Sequence, residues 1–215
     1  MRDIFKCVLL SIFFSLTIPS DSYANITSSE EYLKGRIPKK NHRYNTMKKA
    51  LELMSERNAK IIVETGTARY GDKFFDSDGG STIIFGDWAE KNGSIFYSVD
   101  ISPTNIETAR TVVGIYKNTT LVCEDSIQFL SNFNQQIDFL YLDSYDFDIL
   151  DPKPSQNHHL KEIIAAYPRL TSKSVVMVDD CRLPRGGKGA SIIPFLLKRG
   201  WKILVNEYQV ILVKE

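Results

Sequence analysis

The segment from Lys60 to Gly71 constrains the fold more than any other part of the chain. It begins with a short apolar run, Ile61 to Val63, which is followed by the acid Glu64 and by Gly66. Uninterrupted apolar runs of this length are typical of buried parallel strands. A glycine just beyond the strand allows a ligand to lie directly against the backbone. The segment therefore predicts a first parallel strand that leads into a ligand-binding loop.

The next strand signal, from Ser94 to Asp100, also ends in an acid. Neighbouring parallel strands present their carboxyl ends at the same edge of a sheet. We therefore expect Glu64 and Asp100 to place two hydrogen-bond acceptors beside a crevice of nucleoside size.

The rest of the chain alternates strands with helices and then changes its pattern. Helices are predicted over residues 46–57, 81–91, 103–117, 127–130, 156–167 and 190–199, and further strands over 120–123, 137–142, 174–178, 201–205 and 208–213. The last two apolar runs are separated by a tight turn, which predicts an antiparallel hairpin. The expected fold is α/β: a doubly wound, mostly parallel, seven-stranded Rossmann-like sheet with a C-terminal antiparallel hairpin and helices on both faces.

Residues 1–24 have the pattern of a targeting segment. Two bases precede an apolar run from Cys7 to Ile18, and Ser22-Tyr-Ala24 gives a small-x-small cleavage pattern. The apolar run is shorter than the roughly 20 residues of a membrane span. This favours a cleaved signal peptide, with an uncleaved N-terminal anchor as the alternative. Residues 25–45 are polar and predict an exposed lead-in, so the folded domain is expected over residues 46–215.

Charge and cysteine content exclude several functions. The 215 residues carry a net charge of +1 with acids and bases interspersed, which does not favour a nucleic-acid partner. Three scattered cysteines are too few for a disulfide framework or a zinc site. The expected partner is a small molecule, with the membrane contacted only through an uncleaved N-terminal segment. Homo-oligomerisation is left open.

Five strand–helix units followed by a hairpin resemble the class I S-adenosylmethionine-dependent methyltransferases. The resemblance implies that the first loop, Glu64, Thr65, Gly66 and Thr67, wraps the methionine part of the cofactor S-adenosyl-L-methionine. The chain departs from the usual Glu-x-Gly-x-Gly pattern, since Thr67 and Ala68 stand where a second glycine is common.

The same resemblance assigns the nucleoside part of the cofactor to the next two strand ends. Asp100 would accept hydrogen bonds from the ribose hydroxyls, with Ile101 beside it. Asp125 and Ser126, which follow the third strand, would contact the adenine.

Asp143, Asp179 and Asp180 close the fourth and fifth predicted strands. These strands are expected to be neighbours, and three carboxylates at one crevice repel one another unless a cation or protons neutralise them. Hard oxygen ligands suit Mg²⁺, which could hold a substrate hydroxyl and lower its pKa. The pattern is similar to that of metal-dependent O-methyltransferases of the catechol and macrolide-sugar type. The alternative is that Asp179 and Asp180 only cap the next segment and line a polar rim.

His158 and His159 are the candidate general bases, and Asp143 is a further candidate catalytic residue. Both histidines are expected at the start of the helix after the fourth strand, and an unperturbed histidine has a pKa near neutrality. His159 is slightly preferred, and a structural hydrogen-bonding role is the alternative. Loops 68–80 and 144–157 are expected to shape the acceptor pocket.

The resulting hypothesis is a methyltransferase that uses S-adenosylmethionine to methylate an oxygen of a small molecule, with a sugar as one option. One alternative is a non-catalytic nucleoside- or cofactor-binding protein on the same fold. Another is a NAD-dependent oxidoreductase, which is less favoured because the Gly-x-Gly-x-x-Gly fingerprint is missing. The leader indicates export or anchoring, whereas the cofactor indicates access to the cytoplasm, so the localisation stays open.

Overall fold

The computed structural model describes residues 27–75, 78 and 80–214. The predicted targeting segment, residues 1–24, lies outside this part of the chain. No helix within the described residues is both long enough and apolar enough to cross a membrane.

Helices and strands alternate along the described residues, as the sequence predicts. The helices are α1 (Ser29–Leu33), α2 (Tyr44–Glu56), α3 (Gly80–Asn92), α4 (Pro103–Val113), α5 (Ser126–Asn132), α6 (Lys153–Ala166) and α7 (Gly189–Leu197). The strands are β1 (Ile61–Thr65), β2 (Ile95–Asp100), β3 (Thr119–Cys123), β4 (Phe139–Leu142), β5 (Val175–Val178), β6 (Trp201–Asn206) and β7 (Val210–Lys214).

The seven strands form one mixed sheet in the order β3-β2-β1-β4-β5-β7-β6. Strands β1 to β5 pair in parallel, whereas β7 pairs antiparallel with both β5 and β6. The predicted fold class is confirmed. The order also makes β1 the neighbour of both β2 and β4, so the chain changes direction across the sheet at β1. Ligands of open α/β sheets bind at such switch points, outside the carboxyl ends of the strands.

Two apolar cores cover the two faces of the sheet. Alternation along β1 sends Ile62 to the face covered by α1, α2 and α3, and Val63 to the face covered by α5, α6 and α7. The same alternation separates Tyr141 from Leu140 on β4. Strands buried on both faces explain why the sequence shows continuous apolar runs rather than alternating ones.

The expected exposed lead-in, residues 25–45, requires a correction over its described part. Residues 29–33 form α1, and Tyr32, Leu33 and Ile37 are each less than 5% exposed. These apolar side chains belong to the core that α2 and α3 cover. The segment is polar on average, and that average hides four buried apolar positions, these three and Tyr44.

Helix α6 begins earlier than predicted. It starts at Lys153 rather than near residue 156, with Pro154 in its first turn, where the missing proline N–H costs no hydrogen bond. His158 and His159 therefore lie in the second turn, and the expectation that they begin the helix is wrong. Helix α4 begins as predicted, with Pro103 in its first turn and the Ser102 side chain accepting from Asn105 N–H at 3.3 Å.

Candidate active site

A cleft of about 710 Å³, its open mouth included, lies at the carboxyl edge of the sheet. The predicted site residues that line it are Glu64, Gly66, Thr67, Asp100, Asp143, Asp179 and Asp180. The expected crevice between the ends of β1 and β2 is therefore present, and it extends to β4 and β5.

Glu64 organises the loop after β1 from a fully buried position. The strand directs its side chain to the face that α3 covers, where Ser81 Oγ and Thr82 Oγ1 donate to it at 2.5 and 2.7 Å. Ser98 Oγ on β2 donates to Glu64 at 2.8 Å and lies 2.9 Å from Thr67 Oγ1. Burial raises the pKa of Glu64 to about 7, although the three hydroxyl donors lower it.

Gly66 brings the loop after β1 against the end of β4. Its φ is +88°, and a Cβ at this position would lie 2.7 Å from the backbone oxygen of Asp143. Its N–H donates to the carbonyl of Val99 at 2.8 Å. Glycine is required here by both the backbone conformation and the close approach.

Asp100 is fixed at the end of β2 by the start of α4. Its carboxylate accepts from Ser102 N–H at 2.8 Å and from Asn105 Nδ2 at 3.1 and 3.2 Å. The side chain is held in one orientation and lines the cleft. This orientation leaves it available as an acceptor for a ligand hydroxyl, since each carboxylate oxygen has two lone pairs.

Three of the residues assigned to the nucleoside part of the cofactor, Ile101, Asp125 and Ser126, do not line the cleft. Ile101 is 69% exposed, next to Asp100. Asp125 caps α5 by accepting from Gln128 N–H at 2.9 Å, and Ser126 Oγ lies 3.1 Å from His158 Nε2.

Asp143, Asp179 and Asp180 form the acidic cluster at the ends of β4 and β5. One carboxylate oxygen from each lies within 4.8 Å of the others, so the predicted gathering of the three acids is confirmed. Asp179 is 2% exposed, and Asp180 adopts a left-handed backbone with φ +54°.

Two cations that the sequence analysis missed neutralise most of this cluster. Arg43 precedes α2, and its Nε lies 3.3 and 3.2 Å from the two oxygens of Asp179. Lys188 precedes α7; its Nζ donates to Asp143 Oδ1 and lies 3.2 Å from Asp180 Oδ2. The only sequence signal for Lys188 is its position between glycines in the segment 186–189.

The three carboxylates do not suit a divalent ion in this arrangement of the side chains. Both oxygens of Asp179 and of Asp180 already accept from Arg43, Lys188 or neighbouring groups. An ion would have to displace at least one cationic side chain. The magnesium site therefore remains a prediction.

The two candidate histidines lie outside the cleft wall. His159 is fully buried, its Nδ1 lies 2.8 Å from the Ser155 carbonyl, and burial lowers its pKa to about 4. His158 stacks on Tyr145 at 5.3 Å. The preference for His159 as the base is corrected accordingly, because no face of its ring is open to an acceptor.

Arg69 joins the two loops that were expected to shape the acceptor pocket. Its Nη2 donates to Asp78 at 2.8 Å, and its Nη1 donates to both oxygens of Asp146 at 3.0 and 2.8 Å. All three side chains line the cleft. The loop after β1 is thereby tied to the loop after β4 across the cleft mouth.

The sheet order, the terminal hairpin and the acidic strand ends around the cleft define the fold of the class I methyltransferases. Residues 77–181 match a family model described as a methyltransferase domain. The resemblance seen in the sequence is thus confirmed. No curated protein matches the chain.

Solved structures of methyltransferases share this fold at low sequence identity. The O-methyltransferase NovP has a TM-score of 0.60 at 12% identity, covering 80% of this chain and 79% of that one. An SAH-bound methyltransferase of Podospora anserina, PaMTH1, has a TM-score of 0.58 at 12% identity, and the match covers 96% of this chain and 100% of that one. An O-methyltransferase of Bacillus cereus in complex with SAH has a TM-score of 0.52 at 17% identity, and the match covers 93% of this chain and 94% of that one.

Proposed function

We propose that the chain transfers a methyl group from S-adenosylmethionine to a hydroxyl oxygen of a small molecule, of which a sugar is one candidate. The observation that carries this proposal is one continuous cleft with two acidic regions. Glu64, Gly66 and Asp100 lie at one end, and the acidic cluster lies at the other. Two of the structures compared above hold SAH, the product of such a methyl donor.

The chain's own residues fit the methyl donor. Gly66 gives a ligand access to the backbone, and Asp100 offers oriented carboxylate oxygens to ribose hydroxyls. Besides the buried acid Glu64, six carboxylates line the cleft against three cationic side chains, an excess that favours a cationic sulfonium ligand. S-adenosylmethionine supplies the electrophilic methyl group, and the protein's main contribution is alignment.

Asp143 is the residue that we assign to proton transfer. Its side chain is 28% exposed, compared with 4% for Asp179 and 17% for Asp180. Asp143 Oδ1 is held by Lys188, while the hydrogen bond to Oδ2 from the described residues comes from Tyr141 OH, at 3.4 Å. Asp143 Oδ2 would accept the proton of the acceptor hydroxyl as that oxygen bonds the methyl carbon, while the carbon–sulfur bond of the donor breaks and its electron pair stays on the departing thioether sulfur.

Asp143→Asn tests this assignment. The variant keeps the shape of the side chain but cannot take a proton, so turnover should fall by about 10²-fold or more. Affinity for S-adenosylmethionine, measured by isothermal titration, should change by less than about threefold, because the methionine and ribose regions are intact. The readout of turnover is the mass shift of acceptors in a small-molecule screen.

Two results would reject the proposal. If wild-type protein binds neither S-adenosylmethionine nor SAH at about 1 mM, where even a weak site would be half filled, the chain is not a methyltransferase. If it binds both but methylates nothing, the chain is a cofactor-binding protein on the same fold.

A further inference from the structure

Lys188 is a buried ammonium held between two strand ends. It is 2% exposed, and its Nζ contacts Asp143 Oδ1 and Asp180 Oδ2. Burial alone would lower the pKa of Lys188, but the charges of Asp143 and Asp180 outweigh burial and raise it above the ordinary value. A lysine in this environment stays charged and is stable only while its carboxylates are present.

The backbone on either side of Lys188 packs closely against the segment that follows β5, which positions the lysine side chain. Gly187 has φ +52°, and a Cβ there would lie 1.7 Å from the Asp180 carbonyl oxygen. A Cβ on Gly189 would lie 2.6 Å from a cysteine sulfur. Gln156 Nε2 on α6 donates to the Gly187 carbonyl at 3.2 Å. The glycines therefore permit a close approach that fixes where the lysine enters the acidic cluster.

Arg43 completes the neutralisation from the opposite side. Its Nη2 lies 3.2 Å from Asp180 Oδ1, and its guanidinium stacks over the Tyr208 ring at 4.5 Å. Tyr208 OH donates to the same Asp180 oxygen at 2.6 Å. Among the described residues, these contacts and those to Asp179 leave one oxygen of the acidic cluster without an N–H or cationic donor, Asp143 Oδ2.

We infer that Lys188 is the resident cation of the acidic cluster, and that it takes the place that a divalent ion would otherwise hold. A divalent ion needs several free oxygens at once, and here the oxygens that would face it are occupied by Lys188 and Arg43. Lys188 acts as a positioning residue, since it holds Asp143 and Asp180 at a fixed separation.

The consequence for catalysis rests on the proposed function. With all five groups ionised, three carboxylates against two cations leave one negative charge at the cluster. A bound sulfonium would neutralise it, whereas an added divalent ion would reverse its sign. The net charge of the cluster therefore suits a cationic methyl donor when no metal ion is bound.

The experiment uses the full chain and Mn²⁺ as the probe, without S-adenosylmethionine. Wild type, Lys188→Met and the matched control Lys198→Met, at the exposed C-terminal end of α7, are titrated by isothermal calorimetry and electron paramagnetic resonance. We expect no binding by wild type or the control at about 1 mM. Lys188→Met should bind Mn²⁺ at least about tenfold more tightly, because a repelling charge has been removed.

A second readout is thermal stability in the absence of metal. Lys188→Met leaves buried carboxylates unpaired and should melt about 10 °C below wild type, with part of the loss restored by Mn²⁺. Lys198→Met should have the same melting temperature as wild type.

Two outcomes would overturn the inference. One is wild-type binding of one Mn²⁺ per chain that Asp143→Asn abolishes. The other is a Lys188→Met variant that melts with wild type and gains no Mn²⁺ site. If Lys188→Met does not fold, the wild-type titration decides alone. Cofactor affinity is measured separately, so a metal-binding wild type would leave the proposed methyl transfer standing.

Discussion

Glu64 is the buried acid on which the loop after β1 depends. Its two oxygens accept from hydroxyls on α3 and β2, so one side chain connects three elements. Because burial raises the pKa of Glu64 to about 7, the neutral acid is favoured in the folded chain. Its stabilisation is complete below the unfolded pKa of 4.5 and is lost as the pH rises through about 7.

Glu64→Gln should therefore flatten the pH dependence of stability. The shift corresponds to about 3 kcal/mol of stability lost by wild type between about pH 5 and pH 8, and the glutamine cannot ionise. Urea denaturation across this range measures the free energy of unfolding. Glu56→Gln, at the exposed end of α2, is the control and should keep the wild-type slope. An unchanged slope in Glu64→Gln would mean that Glu64 is not the titrating group.

At the residue scale, the sequence identifies side chains that follow strands and misses those that reach the site from elsewhere. Asp143 and Asp179 directly follow apolar runs, so sheet topology alone brings them together. Arg43 is separated from Asp179 by 136 positions, and Lys188 from Asp143 by 45. No local pattern predicts such pairings, because they arise from the packing of α2 and of the segment before α7 onto the sheet edge.

The loops after β1 and β4 act together as one element through Arg69. This arginine bridges Asp78 and Asp146, and its side chain is 34% exposed, so the ion pairs stabilise the fold little but fix where the loops lie. The loop after β1 also exposes Tyr70 and Phe74, at 49% and 59%.

Arg69→Lys should loosen this connection without unfolding the domain. A lysine cannot reproduce the forked contacts to two carboxylates, so amide hydrogen exchange in both loops should quicken. The free energy of unfolding should fall by less than about 1 kcal/mol. Arg110→Lys is the control, because Arg110 pairs with Glu107 on the exposed face of α4. If exchange changes only in the loop that contains Arg69, the two loops are not coupled.

Among the elements, strands were predicted better than helix ends. Buried parallel strands need continuous apolar runs, which the sequence shows directly. Helix α6 begins in a stretch whose prolines and acids suggest a loop, and only tertiary packing shows that Pro154 sits in its first turn. The expectation that His158 and His159 begin the helix was wrong for this reason, since α6 starts three residues earlier than predicted.

On the scale of the whole molecule, the segment before α2 is part of the domain. Tyr32, Leu33 and Ile37 complete the core on one face of the sheet, and Arg43 reaches the acidic cluster. The boundary predicted at residue 46 therefore cuts through both the core and the candidate site. A mean polarity cannot reveal such a segment, because a few buried side chains are enough to anchor it.

Two truncations test this boundary. A chain that begins at Thr27 keeps every described contact, and its melting temperature and cofactor affinity should match those of the full chain. A chain that begins at Thr46 loses four core side chains, each contributing about 1.5–3 kcal/mol, and leaves Asp179 without Arg43. Against a typical total stability of about 5–15 kcal/mol, this loss should leave the domain largely unfolded at 37 °C by circular dichroism. A cooperative melt of the shorter chain close to that of the longer one would show instead that residues 27–45 only cover a domain that is complete without them.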